Sequence, residues 1–139
     1  MSTPRWVFNK ADWSKFSFLC DSSFSDLNFD DELESLNLNV VGPRLEKNIN
    51  FPEFTNIEFA CVLEDKTIRM RVWERGVGVT MACGSGACAT LVAACKINKS
   101  SKSNKIILDG GSLFVEWLIN GTVTLSGETE KVYEGIIGD

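Results

Sequence analysis

Cys83 opens the segment Cys83-Gly84-Ser85-Gly86, a glycine-rich turn leading into an apolar helix that runs from Gly84 to about Lys96. A helix start carries unpaired N–H groups and the positive end of the helix dipole. That setting is expected to lower a thiol pKa, and the thiolate is the reactive form of cysteine. The same N–H groups can hold a carboxylate or a phosphate. A cysteine and an anion site within one helical turn suit acid–base chemistry beside a carboxylate. Glu74 and Arg75 stand just upstream, ahead of Gly76-Val77-Gly78. Charged residues at a strand end are usually solvated, but the glycines that follow favour a site entrance.

The rest of the composition narrows the chemistry. The chain has 139 residues, five cysteines and no histidine, which excludes every catalytic arrangement built on an imidazole base. Without histidine or a Cys-x-x-Cys pair, no zinc or copper site is expected. Cys88 and Cys95 share one helical face and read as core, as does Cys61 in a strand. Cys20 has no glycine loop to activate it. The odd number of thiols, with no apolar leader at the N-terminus, points to reduced cysteines and a cytoplasmic location. A net charge of −5 argues against nucleic acid as a partner, and no apolar run approaches membrane-spanning length.

The elements that must position Cys83 follow from periodicity. Residues 1–35 are rich in aromatics without a clean period and read as an irregular segment packed on a domain spanning 36–139, with a wet, charged run from Asp30 to Glu34. Gly42-Pro43 is expected to begin a short helical turn, with Pro at its first position. Phe51-Pro52-Glu53 reads as a turn. Strands are expected over 56–63, 67–73, 105–108, 112–119, 122–125 and 131–137. Glu64-Asp65-Lys66 and Asn120-Gly121 are expected to be tight hairpin loops, and Asp109-Gly110-Gly111 and Ser126-Gly127 further turns. The helix after Cys83 has almost no polar face, so it must be enclosed. The result is a single α+β domain, a mixed or antiparallel sheet of roughly six strands rolled around one central buried helix.

Several of these motifs, in this order, resemble the diaminopimelate epimerases over about residues 40–137. They are Gly42-Pro43, Phe51-Pro52-Glu53-Phe54-Thr55-Asn56, Trp73-Glu74-Arg75-Gly76, Ala82-Cys83-Gly84-Ser85-Gly86-Ala87-Cys88-Ala89, Asp109-Gly110-Gly111-Ser112-Leu113 and Gly127 to Gly135. The resemblance implies the C-terminal of two similar domains. It also implies a cofactor-independent inversion of an amino-acid α-carbon, in the synthesis of lysine and peptidoglycan precursors. In that reaction one thiol removes the α-proton and a second, from the other domain, delivers a proton to the opposite face. By this resemblance Cys83 is one thiol, and Glu74 contacts the substrate amino group and helps set the thiol's proton state. The amides of Gly84 and Ser85 hold the α-carboxylate, Arg75 binds the distal carboxylate as a planar fork, and Asn56 bonds the distal end. Tyr133 falls at a dimer surface or in packing. The implied partners are a diamino-dicarboxylic acid and either a partner domain or a second copy.

The sequence departs from the family at three places. The segment carrying the second thiol has no counterpart. Ser22 and Phe24 stand where an asparagine and a histidine are expected, and Val79 stands where a glutamate usually follows Gly-Val-Gly. One thiol can exchange a proton on one face but cannot efficiently invert a centre. The leading expectation is therefore an epimerase half that turns over only with a second half. The alternatives are a non-catalytic module binding an amino acid or a partner protein, and a remnant without a stable fold.

Overall fold

The apolar helix is the centre of the molecule. In the computed structural model, which describes the strand backbones of residues 5–8 and 16–19 together with residues 33–138, helix α2 covers Gly84–Lys96 as expected. Eight strands form one mixed sheet: β1 (Arg5–Phe8), β2 (Phe16–Leu19), β3 (Asn56–Val62), β4 (Ile68–Glu74), β5 (Gly78–Thr80), β6 (Ser103–Leu108), β7 (Gly111–Trp117) and β8 (Val123–Gly127). Their order is β1-β8-β7-β6-β4-β3-β2, with β5 on the free end of β4. The β4–β6 and β2–β3 pairs are parallel and the others antiparallel. The sheet wraps α2. Ala87, Cys88, Leu91, Val92 and Ala94 pack against Ile68, Met70, Val72, Ile106, Leu108, Val115, Val123 and Leu125. The α+β class, with its buried helix enclosed by sheet, is as the pattern implies.

A second helix, α1 (Leu38–Glu46), lies against the other side of the sheet. It begins four residues ahead of the expected helical turn. Asn37 caps it, its side chain accepting the Asn39 N–H at 3.2 Å, a role that asparagine fills well. Pro43 therefore sits inside the helix rather than at its first position. The carbonyl that Pro43 leaves without its helical donor belongs to Asn39, an exposed residue. Gly42 faces the Trp73 indole, and a Cβ at this position would fall 2.2 Å from a ring carbon. Only glycine lets α1 lie this close to β4.

Alternation sorts β3 between two cores. Ala60 and Val62 face α2, while Ile57, Phe59 and Cys61 face α1 with Leu38, Leu45 and Trp73. A strand buried on both faces loses the polar–apolar alternation of a surface strand. Segment 33–36, read in part as a wet loop, is held to β4 instead. Arg71 Nη1 donates to the carbonyls of Leu33, Glu34 and Leu36 at 2.8, 3.2 and 3.0 Å, and Arg69 Nε donates to Glu34 at 2.6 Å. Arg69 also pairs with Asp109.

Turn chemistry was read correctly at the hairpins. Leu63 accepts the Lys66 N–H at 2.9 Å and Leu118 accepts the Gly121 N–H at 3.0 Å, with φ of 71° at Lys66 and 86° at Gly121. Ser126 and Gly127, expected as a turn, instead continue β8. Residues 131–137 are not a strand. They form no ladder, and Val132, Tyr133, Ile136 and Ile137 are each at least 85% exposed. The preceding strand, β8, is already paired on both sides, by β1 and β7, so no hairpin back onto it is open to this segment.

Leu91 is fully buried at the middle of α2. Leu91→Ala is expected to cost about 2–5 kcal/mol in urea denaturation, while Lys99→Ala, on the exposed loop after the helix, is expected to change stability by no more than about 0.5 kcal/mol.

Candidate active site

The sheet ends where α2 begins, and the expected residues gather at that rim. Cys83 is the N-cap of α2, with φ −141° and ψ 107°. Its Sγ accepts the Gly86 N–H at 3.4 Å and lies 3.5 Å from Ser85 Oγ. Its carbonyl accepts the Ala87 N–H at 2.9 Å. The N–H groups of Gly84 and Ser85 have no acceptor among the described residues, as the first amides of a helix usually do not. They remain available to an anion.

The thiol itself departs from expectation. Cys83 is only 7% exposed. Burial raises its pKa above the ordinary thiol value, and the nearby carboxylates of Glu74 and Glu58 push the same way. The bonds from Gly86 and Ser85 pull it down without overcoming burial. A helix-terminal dipole contributes about 0.3–1 kcal/mol at exposed sites, which full desolvation exceeds. At rest Cys83 is a protonated thiol.

The β4–β5 hairpin supplies the acidic and basic groups. Glu74 ends β4 and accepts from Thr80 Oγ1 in β5. Arg75 follows in the turn, where Val77 N–H reaches the Glu74 carbonyl at 3.0 Å and Gly76 adopts φ 72°. Strand β5 escaped the sequence reading, although three residues bounded by Gly76 and Gly78 are a hairpin signal. Asn56, at the start of β3, accepts the Arg75 backbone N–H through Oδ1 at 2.8 Å. Arg75 Nη1 donates to the Glu53 carbonyl at 3.0 Å. The structure thus brings Cys83, Gly84, Ser85, Glu74, Arg75 and Asn56 to one end of the domain. Asn56 fixes the Arg75 backbone with its side-chain oxygen.

Cys61 and Cys88 are buried in the two cores as read. Cys95 is only partly buried, and its Sγ donates to the Ser101 carbonyl at 3.0 Å. Cys20, Ser22 and Phe24 lie outside the described residues.

Two residues of the site went unnoticed in the sequence. Glu46, the last residue of α1, is 6% exposed. Its Oε2 accepts Trp73 Nε1 at 2.7 Å and its Oε1 accepts the Gly76 N–H at 3.0 Å. One carboxylate thus clamps both flanks of Glu74-Arg75. Glu58, on the α2 face of β3, is 1% exposed, and neither of its oxygens has a hydrogen-bond partner among the described residues. A Cβ at Gly86 would stand 2.8 Å from Glu58 Oε1 and 3.2 Å from Cys83 Sγ. The glycine at this position is what lets the carboxyl and the thiol meet the same stretch of helix.

Burial pushes the Glu58 pKa up to about 8, with Glu74 adding to the rise. In the unfolded chain this carboxyl ionises at its ordinary value of 4.5. The folded state therefore keeps a proton that the unfolded state releases, and stability falls as pH rises from about 4.5 to about 8. The slope for one such proton is on the order of 1 kcal/mol per pH unit. Glu58→Gln is expected to remove that slope and to raise the melting temperature at pH 7, measured by calorimetry across the window. Glu46→Ala leaves two donors without an acceptor and is expected to cost about 2 kcal/mol or more, with a changed Trp fluorescence spectrum.

Comparison with known proteins places this rim in a family. A family model described as diaminopimelate epimerase matches residues 25–132. A diaminopimelate epimerase of Phocaeicola vulgatus is 45% identical over 124 residues, covering 88% of this chain and 44% of that protein. That of Parabacteroides distasonis is 48% identical over 110 residues, covering 78% and 41%. That of Rhodospirillum centenum is 46% identical over 111 residues, covering 80% and 38%. The chain thus spans less than half the length of these relatives. A solved phenazine biosynthesis protein of the PhzF family from Enterococcus faecalis shares the fold, with a TM-score of 0.50 and 16% identity, over 84% of this chain and 40% of that one. With its matched region reaching from ahead of α1 to beyond β8, and with Glu74, Arg75 and Cys83 on one rim, the chain belongs to the diaminopimelate epimerase family.

Proposed function

We propose that this chain supplies one thiol acid/base and the carboxylate-binding helix start of a cofactor-independent amino-acid α-carbon epimerase, and that turnover requires a second half. The observation carrying this reading is the Cys83 cap itself. A sulfur sits within one turn of two amides that have no partner among the described residues, with the Glu74 carboxylate near enough to raise its pKa.

The chemistry follows from that arrangement. The substrate α-carboxylate docks on the Gly84 and Ser85 amides, which fixes the α-carbon beside Sγ. Glu74 takes the substrate ammonium. Arg75 binds the distal carboxylate as a planar fork and Asn56 hydrogen-bonds the distal end, which makes a diamino-dicarboxylic acid such as diaminopimelate the fitting substrate. A base on the partner half breaks the α-carbon–hydrogen bond. The electron pair left on carbon is stabilised by the helix-start dipoles. Cys83, protonated at rest, then gives its proton to the opposite face and becomes a thiolate. Running in reverse, the Cys83 thiolate is the base.

The partner half is a separate chain, a further segment or a second copy of this one. Val77, Val79 and Met81 support this, being apolar and 40–72% exposed on the hairpin and loop beside Cys83. A partner seated there would exclude water from the reacting carbon. Binding without turnover is the second reading, favoured by Phe24 and Val79 at the departures from the family.

Mixing the chain with an N-terminal half of a family member and following α-deuterium uptake by meso-diaminopimelate in deuterium oxide tests the proposal. Uptake is expected to fall by about 100-fold or more with Cys83→Ser. Equal uptake in the two would remove Cys83 from the chemistry. Calorimetric binding with no uptake would favour the second reading.

A further inference from the structure

Glu58 has no place in the chemistry above, yet it is the most costly side chain in the site. A carboxyl in the middle of a strand buried on both faces, with neither oxygen hydrogen-bonded among the described residues, is destabilising unless something compensates for it. It lies under the first turn of α2. Its Oε1 and the Cys83 Sγ approach Gly86 from the same side, which puts the two atoms no more than about 6 Å apart. Moving it one position along β3 would send it to the α1 core.

We infer that Glu58 is a positioning residue for the thiol: held as the neutral acid beneath the start of α2, it permits Cys83 to ionise, and once ionised it opposes the thiolate. The surroundings support this assignment. From β4, Glu74 is the ionisable group that reaches Glu58, whereas Arg69 and Arg71 lie on the other face, engaged with Glu34 and Asp109. From α2 and its cap, Cys83 faces it, with Cys88 behind Cys83. Segment Phe16–Leu19 of β2, paired alongside, contains no ionisable residue. On α1, Glu46 is directed to Trp73 and Gly76. Among the described residues no cation offsets a charge on Glu58. A proton is therefore what makes its burial tolerable, and that proton leaves as pH rises through about 8.

The consequence for the site rests on the epimerase reading. At neutral pH Glu58 adds no charge beneath the rim, so a substrate carboxylate on the Gly84 and Ser85 amides and a thiolate at Cys83 are both allowed. Above about pH 8 a second carboxylate charge lies beneath the same amides, and both are disfavoured.

The inference is tested without any turnover. The full chain is alkylated with iodoacetamide from pH 6 to pH 11, and modification of the Cys83 peptide is followed by mass spectrometry. In the unaltered chain the rate is expected to rise in a broad, two-step profile. In Glu58→Gln it is expected to follow a single ionisation at lower pH, with Cys83 reacting about threefold to tenfold faster at pH 9. Superimposable profiles, including no reaction in either protein, would overturn the inference. A second measurement does not depend on the variant folding. Infrared spectra of the unaltered chain are expected to show a protonated-carboxyl C=O band at pH 7 that disappears near pH 8, and its absence would also overturn the inference. Loss of deuterium uptake with this coupling intact would count against the epimerase reading alone.

Discussion

A helix with no polar face has to be covered on every side, and this requirement shapes the whole domain. Burying Ala87, Cys88, Leu91 and Val92 from several directions at once takes a sheet that bends around them, which β3, β4, β6, β7 and β8 provide. A helix enclosed in this way still has two ends, and its amides cannot all be satisfied internally. The start of α2 therefore becomes the polar spot in an apolar interior. Cys83, Gly84 and Ser85 stand there because packing leaves that place open. The same packing surrounds the sulfur with apolar matter, so the helix dipole, acting alone, does not make it a thiolate. Desolvation, with the Glu74 carboxylate adding to it, outweighs the dipole and holds it as a thiol.

The wall opposite the helix start depends on a different contact. Glu74 and Arg75 sit at a strand end, where side chains usually wander in solvent. Here the strand end is held by Glu46 from α1, through the Trp73 indole on one side and the Gly76 amide on the other. That clamp in turn requires α1 to lie close over β4, which the absence of a side chain at Gly42 permits. The acidic and basic groups of the rim are thus placed by a helix that contributes no group to the proposed chemistry.

Much of this was legible in the residues. The bounds of α2, the hairpin loops at Lys66 and Gly121 and the strands flanking them follow from periodicity and turn chemistry, while the gathering of Glu74, Arg75 and Cys83 at one site followed from the family resemblance. The failures have physical causes. Helix α1 begins early because Asn37 caps it, while Pro43 drew attention to the wrong starting point. Residues 131–137 are rich in β-formers, Val132, Tyr133, Ile136 and Ile137, but no ladder partner meets them among the described residues, and propensity without a partner does not make a strand. Glu46 and Glu58 were passed over because a carboxylate in a sequence reads as surface. The signal at Glu58 was nevertheless present. It stands alone within Ile57, Phe59, Ala60, Cys61 and Val62, where both alternating sets are apolar and neither face offers it water. The reversed proton affinity of Cys83 was not readable at all, since it depends on how deeply the cap is covered and on charges brought in by β3 and β4.

Strand β3 serves as a party wall between the two apolar clusters, with Ala60 on one side and Phe59 on the other. Neither compartment can loosen without tugging the shared partition, so disorder introduced at α1 is transmitted to the enclosed helix through a single layer of backbone. A nick or an ill-fitting side chain in that outer helix would reach the sulfur from behind, slackening a rim it never touches. The domain is therefore one mechanical unit, in which the parts most remote from the chemistry keep its geometry taut.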